Sequence, residues 1–204
     1  HAARGYAAIQ HTIDGIDCSS ISAFLVAGKN NNNPTSLESN RHIAFQGHNV
    51  LGYGFMFGAE PGMNSPEEMA NIFANFAHDA SRIRPFIGGE EVNSDPEHRH
   101  RRHVIDLSDY TEDEAASFTE LYRILKARVW PERQKLGTNA DARKRKAQWW
   151  RWGQIAFSLN AAIRNMDFVF CLSQTSKYLC VARLRSSLVF SNKLVVFATS
   201  SFSF

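Results

Sequence analysis

From residue 168 onward the chain stops reading as helix. "DFVFCLS", "YLCVARL", "SLVFS" and "LVVFATS" are short, β-branched and aromatic, with polar breaks at Gln174–Ser176, Arg185–Ser186 and Asn192–Lys193. Runs this short bury a face only by pairing with one another, which predicts a C-terminal antiparallel β-meander. The middle of the chain has the other period. "SPEE" offers Ser65 as a cap, Pro66 at the first helical position and Glu68 to close a capping box. Met69, Ile72, Phe73 and Phe76 then share one face. "TEDE" repeats the signal with Thr111 and Glu114; Phe118, Leu121, Tyr122, Leu125 and Val129 line the helix that follows, and Pro131 is its expected stop. Ile155, Leu159 and Ile163 mark another helix. Helices between strands, followed by a meander, predict an α+β domain with mixed or antiparallel sheets and several packed helices. A chain of 204 residues, 44% of them apolar, can fill its core.

The first sixty residues are read as strands. Residues 20–27, "SISAFLVA", predict a buried strand ended by Gly28 and Lys29, followed by a polar loop over residues 30–40. "IAFQG" and "VLGYGFMF" predict two more strands. Gly52, Gly54 and Gly58 lack the dinucleotide-binding spacing and no Gly-Lys-Ser/Thr follows, so a bulged strand is expected there. No run approaches eighteen apolar residues, so no membrane span is expected. Three cysteines fit a reducing compartment such as the cytoplasm; Cys171 and Cys180 are either partners across a hairpin or two half-buried thiols. The chain opens at His1 with no signal peptide and stops on an apolar run, so a piece of a longer polypeptide is expected.

Chemistry is hard to find. "PFIGGEEVNSDPEHRHRRHVIDL", residues 85–107, concentrates carboxylates, His and Arg. His98 and His100 would share a side of a strand, but His103 faces away and Asp95 and Glu97 match no standard ligand set. Glu90 and Glu91, as chain neighbours, do not aim at one point. The expectation is structural: a Gly88–Gly89 turn, a second turn at "NSDP", and a strand over "RHVIDL". Walker lysine, nucleophile elbow, H-E-x-x-H, Asp/Asn-Pro-Pro-Tyr and a glycine-rich S-adenosylmethionine loop are all missing from the sequence. No catalytic residue, metal or cofactor is assigned.

Charge is more informative. Residues 128–151 hold eight basic side chains against Glu132 and Asp141, a surplus of six on a chain of net charge +3, so the remainder is net negative. Concentrated positive charge is the footprint of a polyanion contact, and equally of one solvated helix face. Trp149, Trp150 and Trp152 beside it either stack on bases or anchor the core, and a W-W-x-W run favours the core. The tip of "CLSQTSKYLC" presents Ser173, Gln174, Thr175, Ser176 and Lys177, which is an ordinary polar turn or a β-ribbon able to read base edges.

Five blocks then occur in order: "LVAGKNNNNPTSLESNRHIAFQGHNVLGYGFMF", "RPFIGGEEVNSDPEHRHRRHVIDL", "ARVWPERQK", "WWRWG" and "VFSNKLVVFA". Together they resemble the target recognition domain of MmeI-like (type IIL) restriction–modification enzymes and related adenine-specific DNA methyltransferases, over nearly the whole chain and continuing past residue 204 in the family. The resemblance implies that residues 1–204 bind double-stranded DNA. It implies a bacterial parent with an S-adenosylmethionine-dependent catalytic domain in the same polypeptide. The residue choices rest on chemistry. Arg143, Lys144, Arg145, Lys146 and Arg151 are expected on phosphates, and Gln174, Thr175, Ser176 and Lys177 on base edges with Arg183 or Arg185 behind them. Two other readings stay open: a partner-docking domain, and a metal-dependent nuclease using Glu90, Glu91, His98 and His100.

Overall fold

The computed structural model describes residues 11–22, 24–28 and 42–199. The chain divides into two compact units, residues 1–41 and 42–204. In the first, β1 (His11–Ile13) and β2 (Ile16–Cys18) pair as a hairpin. Asp14 and Gly15 turn it with φ of 51° and 79°, the doubly left-handed turn that suits the twist of the flanking strands. The Asp14-Gly15 dipeptide is the local sequence signal for this hairpin. The buried strand expected over residues 20–27 is absent. Ile21 and Ala27 form a single bridge around a tight reversal, with Leu25 left-handed at φ 58°. Phe24, Leu25 and Val26 are exposed. A chain that folds back on itself so soon cannot lie along a partner strand. The polar loop at 30–40 lies outside the described residues.

The second unit contains strands β3 (Ala44–Gln46), β4 (Met56–Phe57), β5 (Ile83–Ile87), β6 (Arg102–Ile105), β7 (Phe168–Ser173), β8 (Ala182–Arg185), β9 (Val189–Phe190) and β10 (Leu194–Phe197). Its helices are α1 (Pro66–Asn75), α2 (Ala77–Ala80), α3 (Gly89–Ser94), α4 (Glu112–Ala116), α5 (Thr119–Arg128), α6 (Trp130–Gln134), α7 (Ala140–Ala147) and α8 (Phe157–Ile163). One sheet has the order β4-β6-β5-β9 and the other β3-β10-β7-β8. The α+β class expected from the sequence is what forms. Three of the four C-terminal strands pair antiparallel in the second sheet, while β9 crosses to run parallel with β5 in the first.

Both capping boxes are in place, at Ser65–Glu68 and Thr111–Glu114. The helix expected to run from Thr111 to Pro131 is instead broken into α4, α5 and α6. The buried Asp79 carboxylate accepts from the backbone N–H of Glu120 and Leu121, at 2.9 Å each. It caps a fresh helix start where the chain itself has no capping side chain. Pro131 falls in the first turn of α6, where its missing N–H costs nothing. The expected bulged strand at Gly52–Gly54 is a 3₁₀ turn over Tyr53–Phe55. The end of α5 presses on it: a Cβ on Gly54 would sit 2.9 Å from Val129 Cγ2.

Two hydrophobic cores result. Phe55, Phe57, Ile72, Ile105, Leu107, Leu121 and Leu125 fill the first together with Trp149, Trp150 and Trp152. Leu159 and Ile163 of α8 join Val169, Cys171, Leu184, Leu194 and Val196 in the second. Adjacent residues of one strand divide between them: Phe86 and Val189 belong to the first, Ile87 and Phe190 to the second. Across this seam His48 N–H donates to Phe190 O at 2.7 Å and Asn192 N–H to His48 O at 2.8 Å. The approach is close enough that a Cβ on Gly47 would meet two carbonyl oxygens at 2.3 Å.

The His48 ring is buried in the same seam. Its Nδ1 accepts from Ala156 N–H at 3.2 Å, which assigns the proton to Nε2 and makes it the donor to Asn160 Oδ1 at 3.1 Å. The ring also meets Trp152 edge to face, with centroids 5.1 Å apart. Burial pushes its pKa below the ordinary 6.5, against the opposing pull of Asp106 and Asn160. The folded protein therefore holds the neutral ring, while the unfolded chain takes up a proton first on acidification. Stability contributed by this ring is present above about pH 6.5 and lost as pH falls below it. Denaturant melts across that interval will show a decline that His48→Asn reduces.

Glu91 answers the question posed by the carboxylates near the double glycine. It accepts from Gly88 N–H at 3.0 Å and takes Arg102 Nε and Nη2 at 2.9 and 2.7 Å. Gly88–Gly89 is therefore the start of α3 rather than a turn, and Glu91 fastens that start to β6. The carboxylate is 3% exposed and the arginine 14%. Glu91→Ala leaves the half-buried Arg102 with Glu60 alone, at 3.6 Å, and will destabilise the fold by roughly 1–3 kcal/mol, measured by urea unfolding.

Candidate nucleic-acid interface

Helix α7 is built to hold positive charge in water. Asn139 caps it, accepting from Ala142 N–H at 2.8 Å. Ala142 is its one buried residue, and Lys144, Arg145 and Lys146 fill its last turn, where the helix dipole favours cations. Arg143 and Lys144 are exposed and Lys146 is half-buried. Arg145 pairs with Asp141 at 2.5 Å. Arg151 stands apart from the other four. Its Nε and Nη2 donate to Tyr110 O at 3.3 and 2.8 Å, and it lies over the Trp150 ring. Its guanidinium ties the chain after α7 to the start of α4. Arg143 and Lys144 are thus the members of the set with the freest access to a phosphate.

The three tryptophans are core residues. Each indole N–H has an acceptor: Glu112 Oε1 for Trp149, Tyr110 O for Trp150 and Ile105 O for Trp152. Burial of 94% or more at each position leaves no ring face for a base.

The second set lies at the other core. The tip between β7 and β8 spans Gln174 to Val181 and is exposed throughout. Its base is anchored. Gln174 N–H donates to Lys193 O, Gln174 Nε2 to Asn192 O, and Asn93 Nδ2 to Thr175 O. Ser173 Oγ also donates to Thr175 O at 3.0 Å, and Ser176 Oγ donates to Tyr178 O. Lys177 lies over the Tyr178 ring, and Leu179 is 86% exposed. Arg183 and Arg185 point to one side of β8 while Ala182 and Leu184 point into the core. Arg183 stacks on Phe168 at 3.9 Å, which holds its fork in a defined place. Gln174 and Lys177 therefore belong to the tip, while Arg183 and Arg185 lie along the exposed face of β8, Arg185 opposite Phe168 at the end of the ladder away from the tip. The α7 cations belong to the helical side of the first sheet.

The remaining sequence candidates are structural. His98 sits at φ 50° outside any strand, so the expected alternation of His98 and His100 does not arise. Asp95 is buried and binds Glu97 N–H and Arg99. No group of three or more His, Cys, Asp or Glu side chains that could hold a metal ion is present among the described residues. Cys171 and Cys180 are free. The strand register sets Cys171 opposite Ala182, while Cys180 lies in the exposed tip. Burial first, and the nearby Cys180 second, push the Cys171 thiol up to about 12. A thiol reagent at about pH 8 will therefore label Cys180 in the native protein and Cys171 only after unfolding, as read by mass spectrometry.

No helix among the described residues is long and apolar enough to cross a membrane. No family model and no curated protein matches the sequence. Among solved structures, the fold is similar to that of the type IIL restriction–modification enzyme MmeI, determined in complex with DNA, with a TM-score of 0.59 and 16% identity. The match covers 91% of this chain and 23% of that one, so this chain spans less than a quarter of the structure it matches. At this identity the likeness is one of fold.

Proposed function

We propose that this chain is the segment of a bacterial restriction–modification DNA methyltransferase that grips double-stranded DNA and reads its target sequence. The observation that carries the reading is the fold likeness, over nine-tenths of the chain, to part of an enzyme determined with DNA bound. The surface chemistry supports it. Phosphate contacts position such a protein and base-edge contacts specify, and the two need different side chains in different places. Arg143, Lys144 and Lys146 supply mobile positive charge on α7, with Arg145 beside them. Gln174, Thr175, Ser176 and Lys177 present donors and acceptors at the tip of an anchored hairpin, with Arg183 and Arg185 along the β8 strand behind it.

The parent's chemistry lies outside this chain. On this reading S-adenosylmethionine is bound by an adenine-N6 methyltransferase domain of the same polypeptide, working in the cytoplasm. No step of methyl transfer is assigned to residues here.

The test is a salt titration of binding to a pool of random duplexes, followed by sequencing of the retained DNA. Retention with a steep salt slope and an enriched short motif is expected. Arg143→Ala and Lys144→Ala will each weaken binding to every sequence and lower the salt slope by about one. Replacing a base-reading Lys177 will cost roughly 1–3 kcal/mol and relax one position of the motif. A folded sample that retains no duplex at low salt overturns the reading in favour of partner docking.

A further inference from the structure

Arg133 is buried with three of its five N–H donors unspent on protein acceptors. Helix α6 places it beneath the 3₁₀ turn, 4% exposed. Its Nη2 donates to Leu51 O at 3.1 Å and Arg151 O at 3.4 Å. Its Nε and Nη1 find no acceptor among the described residues, and no carboxylate among them lies within ion-pair reach. Burial opposes its charge, the neighbouring Arg145 adds repulsion, and Asp141 offsets part of both. A guanidinium does not release its proton in a protein, so the charge remains; the Phe55 ring lies 5.7 Å from its carbon, and its free N–H groups can donate to a counter-charge.

The surroundings provide room for one. Arg133 lines a cavity of about 490 Å³ together with Arg145, Arg128, Glu132, Tyr53 and Leu51. The other ionised groups have partners: Arg128 donates to Met63 O and Glu68, and Glu132 pairs with Lys135. Arg145 is only half committed, for its Nη2 holds Asp141 while its Nε is buried with no acceptor. The rim is strained. Leu51 adopts φ 54° and Gly52 φ 138°, and the Leu51 carbonyl is the one that Arg133 holds. A non-glycine residue in that conformation persists only where its surroundings enforce it, which is common at ligand sites.

We propose that this cavity binds a phosphoryl group, with Arg133 and Arg145 donating to its oxygens. Two forks carrying unspent N–H groups match the tetrahedral, multiply charged acceptor that arginine recognises best. Arg145 belongs to both this cavity and α7, so the source of the phosphoryl group is the DNA backbone, passing from α7 onto α6. That choice of source rests on the DNA-binding reading, whereas the phosphoryl site does not.

The experiment uses the full chain labelled with nitrogen-15, at constant ionic strength balanced with chloride. The Nε–Hε signal of Arg133 is identified by its loss in Arg133→Lys. Inorganic phosphate is expected to move that signal saturably where chloride does not. Arg145→Gln removes one fork from a partly exposed position that the fold tolerates, and will raise the apparent Kd about tenfold. A short duplex is expected to move the same signal and compete with phosphate, which identifies the backbone as the source. A signal that answers to phosphate while a bound duplex leaves it in place keeps the phosphoryl site but assigns it to free phosphate or a mononucleotide. A signal that answers to neither overturns the site, even if the chain binds duplex through α7.

Discussion

The backbone of residues 47–48 lies directly against that of residues 190–192, and both hydrophobic cores hang from this contact. The alternation of a β-strand normally sends successive side chains to opposite faces. Here that alternation is used to feed two cores, with Phe86 and Val189 on one side and Ile87 and Phe190 on the other. The arrangement demands a residue without a side chain at Gly47, because two carbonyl oxygens occupy the space a Cβ needs. It also demands a polar group that can bond on both sides, which His48 supplies through Asn160 and Ala156. The helical core that displays α7 and the sheet that displays the β7–β8 tip are thereby parts of one unit, 42–204.

Buried polar groups govern much of the local architecture. Asp79 decides where α5 begins, Glu91 decides where α3 begins, and Arg151 fastens the end of the α7 segment to Tyr110. Each uses a charged side chain to satisfy backbone groups that a helix end or turn leaves open, Asp79 and Arg151 from a distant part of the sequence and Glu91 from within its own helix. Such a charge costs free energy to bury, and full hydrogen bonding offsets that cost. Conformational definition is the return: a helix pinned by a remote carboxylate has one register rather than several.

What the sequence showed and what it hid follow from that difference. Local signals were legible. Ser65–Glu68 and Thr111–Glu114 form the capping boxes their spacing announces, and the tryptophan run packs inside as its bulk requires. Long-range partners were not. Nothing near residue 118 reveals that Asp79 will restart a helix there, so the apolar stripe from Phe118 to Val129 read as a continuation. Pro131 looked like a stop because a proline is permitted only in a first turn, and the stripe concealed that one was starting. Gly54 read as a bulge because the pressure of Val129 on it comes from a helix 75 residues away. The same limit applied to the charged set. The basic run announced positive charge, but its spacing could not separate Arg143 and Lys144, open to solvent, from Arg151, turned onto a carbonyl. Arg133 was counted there only as one charge among eight; its burial needed the fold to be seen.

The anchoring of the β7–β8 tip has a consequence for how such a protein changes over time. The hairpin is closed at its base by ladder pairs and by Gln174, Asn93 and Lys193, and its sides are fixed by Arg183 on Phe168. Everything beyond that base projects into solvent, and the free energy of closing a loop grows only slowly with its length. Residues can therefore be inserted, deleted or exchanged between Thr175 and Cys180 while the frame beneath stays as it is. The frame and the tip can diverge at separate rates, and a lineage can acquire a new surface by rewriting a few positions of a loop without refolding anything.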